Sequence, residues 1–126
     1  MRILTLAICL LLTWPAHADV TGTARVVDGD TIWIGETKIR LWGIDAPETK
    51  QVCQRGGKPW MCGEAATETL RQLIGNSPVT CESHGKDRYG RMIGKCSVNG
   101  LDMGAEMISR GLALAYTQYS RYYLPN

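Results

Sequence analysis

The chain has 126 residues, with 14 Lys and Arg against 12 Asp and Glu. That length suits one domain, and the near-balance of charge excludes a strongly basic protein whose net field draws in polyanions from a distance. Any nucleic-acid binding must rest on locally placed positive charge.

The first segment, MRILTLAICLLLTWPAHA, has Arg2, then an apolar run from Ile3 to Trp14, then Ala16-His17-Ala18. A charged start, a short apolar stretch and an A-x-A site predict a signal peptide over residues 1–18, cleaved after Ala18. The alternative is a buried first helix. The run is short for a membrane span, which needs about 20 apolar residues. Cys9 follows the bulky Ile8 and is not read as a lipid-anchor cysteine. No stable membrane anchor is expected after cleavage, and the product is expected to be secreted or periplasmic. The mature domain is then 19–126, and losing Arg2 leaves 13 basic against 12 acidic residues.

Three β-like segments follow, GTARVVD, DTIWIG and TKIRLWGI. Val, Ile, Thr and Trp dominate them, as strands prefer. Pro47 ends the third, because it brings no ladder donor. Residues 49–62 read as a loop rich in Gly, Lys and Pro. GEAATETLRQLIG then predicts a helix, with Ala65, Thr69, Leu70, Leu73 and Ile74 as its apolar stripe and Gly75 as its stop. SPVTCES and RMIGKCSV predict a hairpin around HGKDRYG. After the Asn99-Gly100 turn, LDMGAEMISRG predicts a second helix with Leu101, Ala105 and Ile108 on one face. The order is three strands, helix, two strands, helix. Five short strands with Gly-marked turns predict an α+β, mainly β fold: a five-stranded OB-fold barrel with two packed helices.

Four cysteines remain in the mature chain, and an even count in an exported small domain favours disulfides. Cys81 and Cys96 sit symmetrically about DRYG, so a hairpin there sets them opposite each other. That pairs Cys53 with Cys62. Zinc is the rival, but C-x-x-C spacing is missing and His84 is the one histidine of the mature chain.

Four acids, Asp28, Asp30, Asp45 and Glu48, interrupt the apolar strands, with Arg40 among them. If the strand ends carrying Asp30 and Asp45 meet, their carboxylates converge and repel unless a cation joins them. A hard cation such as Ca²⁺ accepts such oxygen ligands. Asp28-Gly29-Asp30 is equally a turn. Arg40 is either half of a structural ion pair or a planar donor fork for phosphate. Glu48 is a general base or a solvated loop acid. Gly85–Arg91, GKDRYGR, is a solvated hairpin tip or a phosphate contact with Tyr89 offering a stacking face. Tyr116, Tyr119, Tyr122 and Tyr123 fill the core or form a base-stacking wall.

VVDGDT, IRLWGIDAPE, GEAA, DRYGR and SRGLALAY, in this order, resemble the staphylococcal (thermonuclease-type) nuclease family. The resemblance runs from about Thr21 to Tyr119. It implies an OB-fold enzyme that cleaves phosphodiester bonds of DNA and RNA, with Ca²⁺ as cofactor. It implies metal carboxylates at Asp30 and Asp45, a main-chain carbonyl ligand at Ala46 and a supporting acid at Asp28. It implies Glu48 as general base, and Arg40 and Arg91 as the phosphate-binding arginines. Arg88, Tyr89 and Tyr116 are implied substrate contacts. Ala46 stands where the family prototype has Thr. The family's usual third, C-terminal helix is expected to be absent from this chain. The expected protein is a monomeric, exported nuclease. The alternative is a catalytically inactive OB-fold module of the cell envelope that binds nucleic acid or protein.

Overall fold

A computed structural model describes residues 9, 11 and 19–116. The predicted signal peptide, Tyr119, Tyr122, Tyr123 and the stretch where a third helix would follow lie outside the described residues, apart from Cys9 and Leu11.

Among the described residues, eleven strands and two helices follow in chain order: β1 (Val20–Gly22), β2 (Ala24–Asp28), β3 (Thr31–Ile34), β4 (Thr37–Leu41), β5 (Ile44–Asp45), β6 (Cys53–Arg55), β7 (Lys58–Trp60), α1 (Cys62–Ile74), β8 (Val79–Lys86), β9 (Met92–Val98), β10 (Leu101–Asp102), α2 (Met103–Ser109) and β11 (Leu114–Ala115). The main sheet runs β1-β8-β9-β4-β3-β2, with β10 attached to β9. The β4–β9 pair is parallel and its neighbours are antiparallel. β1 and β2 stand at opposite ends of this order, yet Thr23 alone separates them in the chain. The sheet therefore curls so that one bent strand serves both edges. Counting that strand once, the main path has the five strands expected, in an OB-like mixed arrangement.

The interior face is set by period-2 alternation. Ile32, Ile34, Ile39, Leu41, Val79, Cys81, Cys96 and Val98 are buried together, and α1 and α2 close the core with Ala66, Leu70, Ile74, Met103 and Met107. Both disulfides have the expected partners, Cys53–Cys62 and Cys81–Cys96. Cys81 and Cys96 are direct cross-strand partners with Cα atoms 4.0 Å apart, the close spacing of a non-hydrogen-bonded pair.

Local details correct the sequence reading. The buried side of α1 is Cys62, Ala66, Thr67, Leu70 and Ile74, so Ala65, Thr69 and Leu73 flank the core rather than form its stripe. Small residues at 65, 66, 67 and 69 make the two faces hard to tell apart. The second helix begins at Met103, not Leu101: Leu101 pairs with Val98 across the Asn99-Gly100 turn and is exposed. Asp102 caps the helix, accepting from the Ala105 N–H at 3.2 Å. Its buried residues are Met103, Gly104 and Met107, while Ala105 and Ile108 are partly buried and pack against the core. Residues 53–60, expected to be loop, form a separate hairpin. Gly56 and Gly57 both adopt positive φ (58° and 76°), the backbone that a two-residue hairpin turn requires.

Candidate active site

Asp30 and Arg40 are brought together by strand register. Thr31 opens β3 and pairs with Arg40 of β4, and the Leu41 N–H bonds the Asp30 carbonyl at 2.8 Å. Asp30 is buried, 7% exposed. Its Oδ1 accepts from the Thr31 hydroxyl and its Oδ2 from the Ala46 N–H, both at 2.9 Å. Arg40 adds NH1 at 3.3 Å from Asp30 Oδ2 and NH2 at 3.3 Å from Asp45 Oδ1. NH1 also donates to the Ile44 carbonyl at 3.0 Å. One guanidinium thus bridges the two carboxylates, so the structural ion pair considered for Arg40 is present.

The β5–β11 pairing sets Leu114 opposite Asp45, and the Tyr116 N–H bonds the Gly43 carbonyl at 2.7 Å. This holds the Tyr116 ring centroid 5.8 Å from the Arg40 guanidinium carbon. Asp28 adjoins through the Asp30 N–H, which donates to its Oδ1 at 3.1 Å. Burial, and next the charge of Asp30, push the Asp28 carboxyl up to about 6. Two carboxylates thus bracket one arginine, with Asp28 adjoining Asp30. That excess negative charge on oxygen-only donors fits a hard divalent cation. Among the described residues no three His, Cys, Asp or Glu side chains form a ready-made metal cluster. A cation here needs main-chain or water oxygens besides two carboxylates.

Glu48 is exposed, and its side chain makes no hydrogen bond or ion pair among the described residues. Its backbone is held firmly. The Gln51 N–H bonds the Glu48 carbonyl at 2.8 Å, and the Gly63 N–H at the start of α1 bonds the Gln51 carbonyl at 3.1 Å. A Cβ on Gly63 would overlap the Glu48 carbonyl oxygen. Thr49 shares a 3.0 Å hydrogen bond with the buried Thr67, which donates to the Gly63 carbonyl at 2.8 Å. Gly29 is similarly confined, since a Cβ there would lie 2.8 Å from that of Ala66 and 2.9 Å from that of Ala46. The first turns of α1 are thus a template for both acid-bearing loops. Sequence reasoning noted GEAA without a role; Gly63, Thr49 and Thr67 went unassigned because their task is contact, not chemistry.

The second arginine has a different setting. Arg40 pairs with Ile93 on the parallel strand β9, and Arg91 lies immediately before that strand, two residues ahead of Ile93. Arg91 is held by Asp87: Nε donates to Oδ2 at 2.6 Å, and the backbone N–H groups of Arg91 and Tyr89 bond Oδ1 at 3.0 and 2.9 Å. Burial alone would raise the Asp87 carboxyl, but these bonds hold it below the usual range. Tyr89 is 70% exposed. The guanidinium carbons of Arg88 and Arg91 lie 5.0 and 5.6 Å from its ring centroid.

Residues 38–124 match the family model described as staphylococcal nuclease homologue. Over 110 residues the chain is 39% identical to the succinoglycan biosynthesis protein ExoI of Rhizobium meliloti (strain 1021), covering 83% of this chain and 58% of that one. It is 35% identical over 120 residues to an uncharacterized endonuclease of Escherichia coli O157:H7, covering 90% and 72%. It is 33% identical over 103 residues to the endonuclease YhcR of Bacillus subtilis (strain 168), covering 73% of this chain and 8% of that one. The motifs quoted from the sequence, the curled mixed sheet and these matches agree: the chain belongs to the staphylococcal nuclease family.

Proposed function

We propose that the chain is an exported, metal-dependent nuclease that hydrolyses phosphodiester bonds of DNA or RNA. The observation that carries this reading is the Arg40 guanidinium within 3.3 Å of both Asp30 and Asp45, with Arg91 just before the strand β9 that pairs beside it. Nuclease-family membership supplies the reaction class. The export reading rests on the apolar leader and on disulfides in the domain 19–126. Among the described residues no helix is long and apolar enough to cross a membrane. The working unit is taken as a monomer.

In this scheme Glu48 accepts a proton from the attacking water. Water attacks phosphorus in line with the departing oxygen. Arg40 and Arg91 donate to the non-bridging oxygens, whose negative charge grows toward the transition state, so those donors lower the barrier. Asp30, Asp45 and the Ala46 carbonyl hold the cation, Ca²⁺ or another hard divalent ion, and Asp28 supports them. Bound there, the ion supplies further positive charge at the phosphate. Arg88, Tyr89 and Tyr116 contact the nucleic-acid chain.

The test is incubation of the purified protein with labelled single-stranded DNA, first with Ca²⁺ and then with EDTA. Chelator-sensitive cleavage supports the reading. Binding without cleavage in either condition supports the inactive binding module instead.

A further inference from the structure

The hairpin β6–β7 lies outside the main sheet, and among the described residues its two strands pair only with each other. A lone two-stranded hairpin is marginal in water. This one is stapled at its base by Cys53–Cys62, where Cys62 is the first residue of α1. The next residue, Gly63, is the one packed against the Glu48 carbonyl. The staple therefore fixes the hairpin beside the segment that carries Glu48. From Glu48 to Gly56 the backbone extends at most about 29 Å, a span of several nucleotides.

The composition of the hairpin is one-sided. From Thr49 to Gly63 there is no acid, while Lys50, Arg55 and Lys58 are exposed. The register pairs Cys53 with Trp60 and Arg55 with Lys58. Alternation puts Arg55, Lys58 and Trp60 on one face. The Arg55 guanidinium carbon lies 3.9 Å from the Trp60 ring centroid, so cation and indole are already stacked. Two cations beside a preformed flat stack match a chain of alternating phosphates and bases. A core-filling or capping role would need neither the charge nor its exposure.

We propose that this stapled hairpin is a second contact surface for the nucleic-acid substrate, gripping the strand several nucleotides from the scissile phosphate. The inference rests on the nuclease reading for the identity of its ligand. It makes the protein favour long strands over very short ones.

The test measures binding of labelled 20-mer and 4-mer oligothymidylates by fluorescence anisotropy in EDTA, alongside cleavage in Ca²⁺. Arg55→Glu/Lys58→Glu should weaken 20-mer binding at least about tenfold and leave the 4-mer within about twofold. For the 20-mer, the salt slope of log affinity should fall by about 1.4, two phosphate contacts on a single strand. Arg55→Lys should keep the slope and still lose affinity, because an ammonium has no flat face to stack. Circular dichroism checks folding, and Arg55→Gln/Lys58→Gln replaces the reversal if it unfolds. Unchanged 20-mer binding, or equal losses on both lengths, overturns the proposal. Hairpin-dependent binding without cleavage keeps the surface and removes the nuclease reading. Cleavage that ignores the hairpin does the reverse.

Discussion

Arg40 lies in β4 and Arg91 immediately before the neighbouring strand β9, and each is paired with aspartate, but they are held in different ways. Arg40 is fixed by the fold: its partners are Asp30, just before β3, and the Asp45 carboxylate and Ile44 carbonyl of β5. Arg91 is fixed by its own turn, since Asp87 supplies three bonds within five residues. Arginine geometry can thus be written into long-range register or into a local motif. If both arginines act on phosphate as proposed, the first arrangement ties that role to stability and the second separates them.

Substitution breaks this comparison most directly. Arg40→Ala leaves buried Asp30 without its cation and should destabilise the domain by about 1–3 kcal/mol. It should also lower kcat about 10²–10³-fold, the usual effect of removing a transition-state donor. Arg91→Ala should lower kcat by a similar factor yet change stability by less than about 1 kcal/mol. Urea titrations and steady-state cleavage on the same preparations read both quantities. Equal destabilisation would show that the two settings are not distinct. A rise in KM alone for Arg91→Ala would make it a binding residue.

Removing the staples ranks next. Replacing Cys81 and Cys96 by Ser should lower stability by about 3 kcal/mol, by the loop-entropy relation for a separation of 15 residues. Replacing Cys53 and Cys62, nine apart, should lower it somewhat less. Only the second pair adjoins Glu48, so it should reduce kcat more than its stability loss explains. Thermal melts and rates at 25 °C separate the two effects.

Gly63→Ala probes how Glu48 is positioned. The added methyl must displace the Glu48 carbonyl, and such overpacking costs about 1–3 kcal/mol. Activity should fall with it.

The smallest effect is acid sensitivity of the Arg91 turn. Because its bonds hold the Asp87 carboxyl below the ordinary aspartate value of 3.8, the carboxylate stabilises the fold fully above that value. That contribution is lost as pH falls through the lower folded value. Wild type and Asp87→Asn should therefore differ in melting temperature by a constant amount above about pH 5 and converge under strong acid. A difference that varies between pH 6 and 8 would contradict this origin.

The sequence was legible where a residue type has one physical use. The Cys81–Cys96 pairing followed from symmetry about a turn, and Gly75 does stop α1. It was less legible where side chains are small or neighbours distant. Ala65 and Ala66 cannot be ranked without knowing what they face. The bend at Thr23 arises because β1 and β2 pair with different strands, which no local pattern announces. The Gly56-Gly57 turn was readable, but surrounding Lys, Arg and Pro disguised the hairpin as loop. At the site, acids and arginines were visible as residue types. Their partners were not: the Arg91–Asp87 bond and the Gly63–Glu48 contact exist only once the chain is folded.

The most direct test of the account is Glu48→Gln. Its side chain has no partner among the described residues, so the change should leave folding intact. With Ca²⁺ and single-stranded DNA, cleavage should fall about 10²–10⁴-fold while oligonucleotide binding is unchanged. A variant that cleaves at the wild-type rate would contradict the central claim that Glu48 takes the proton from water.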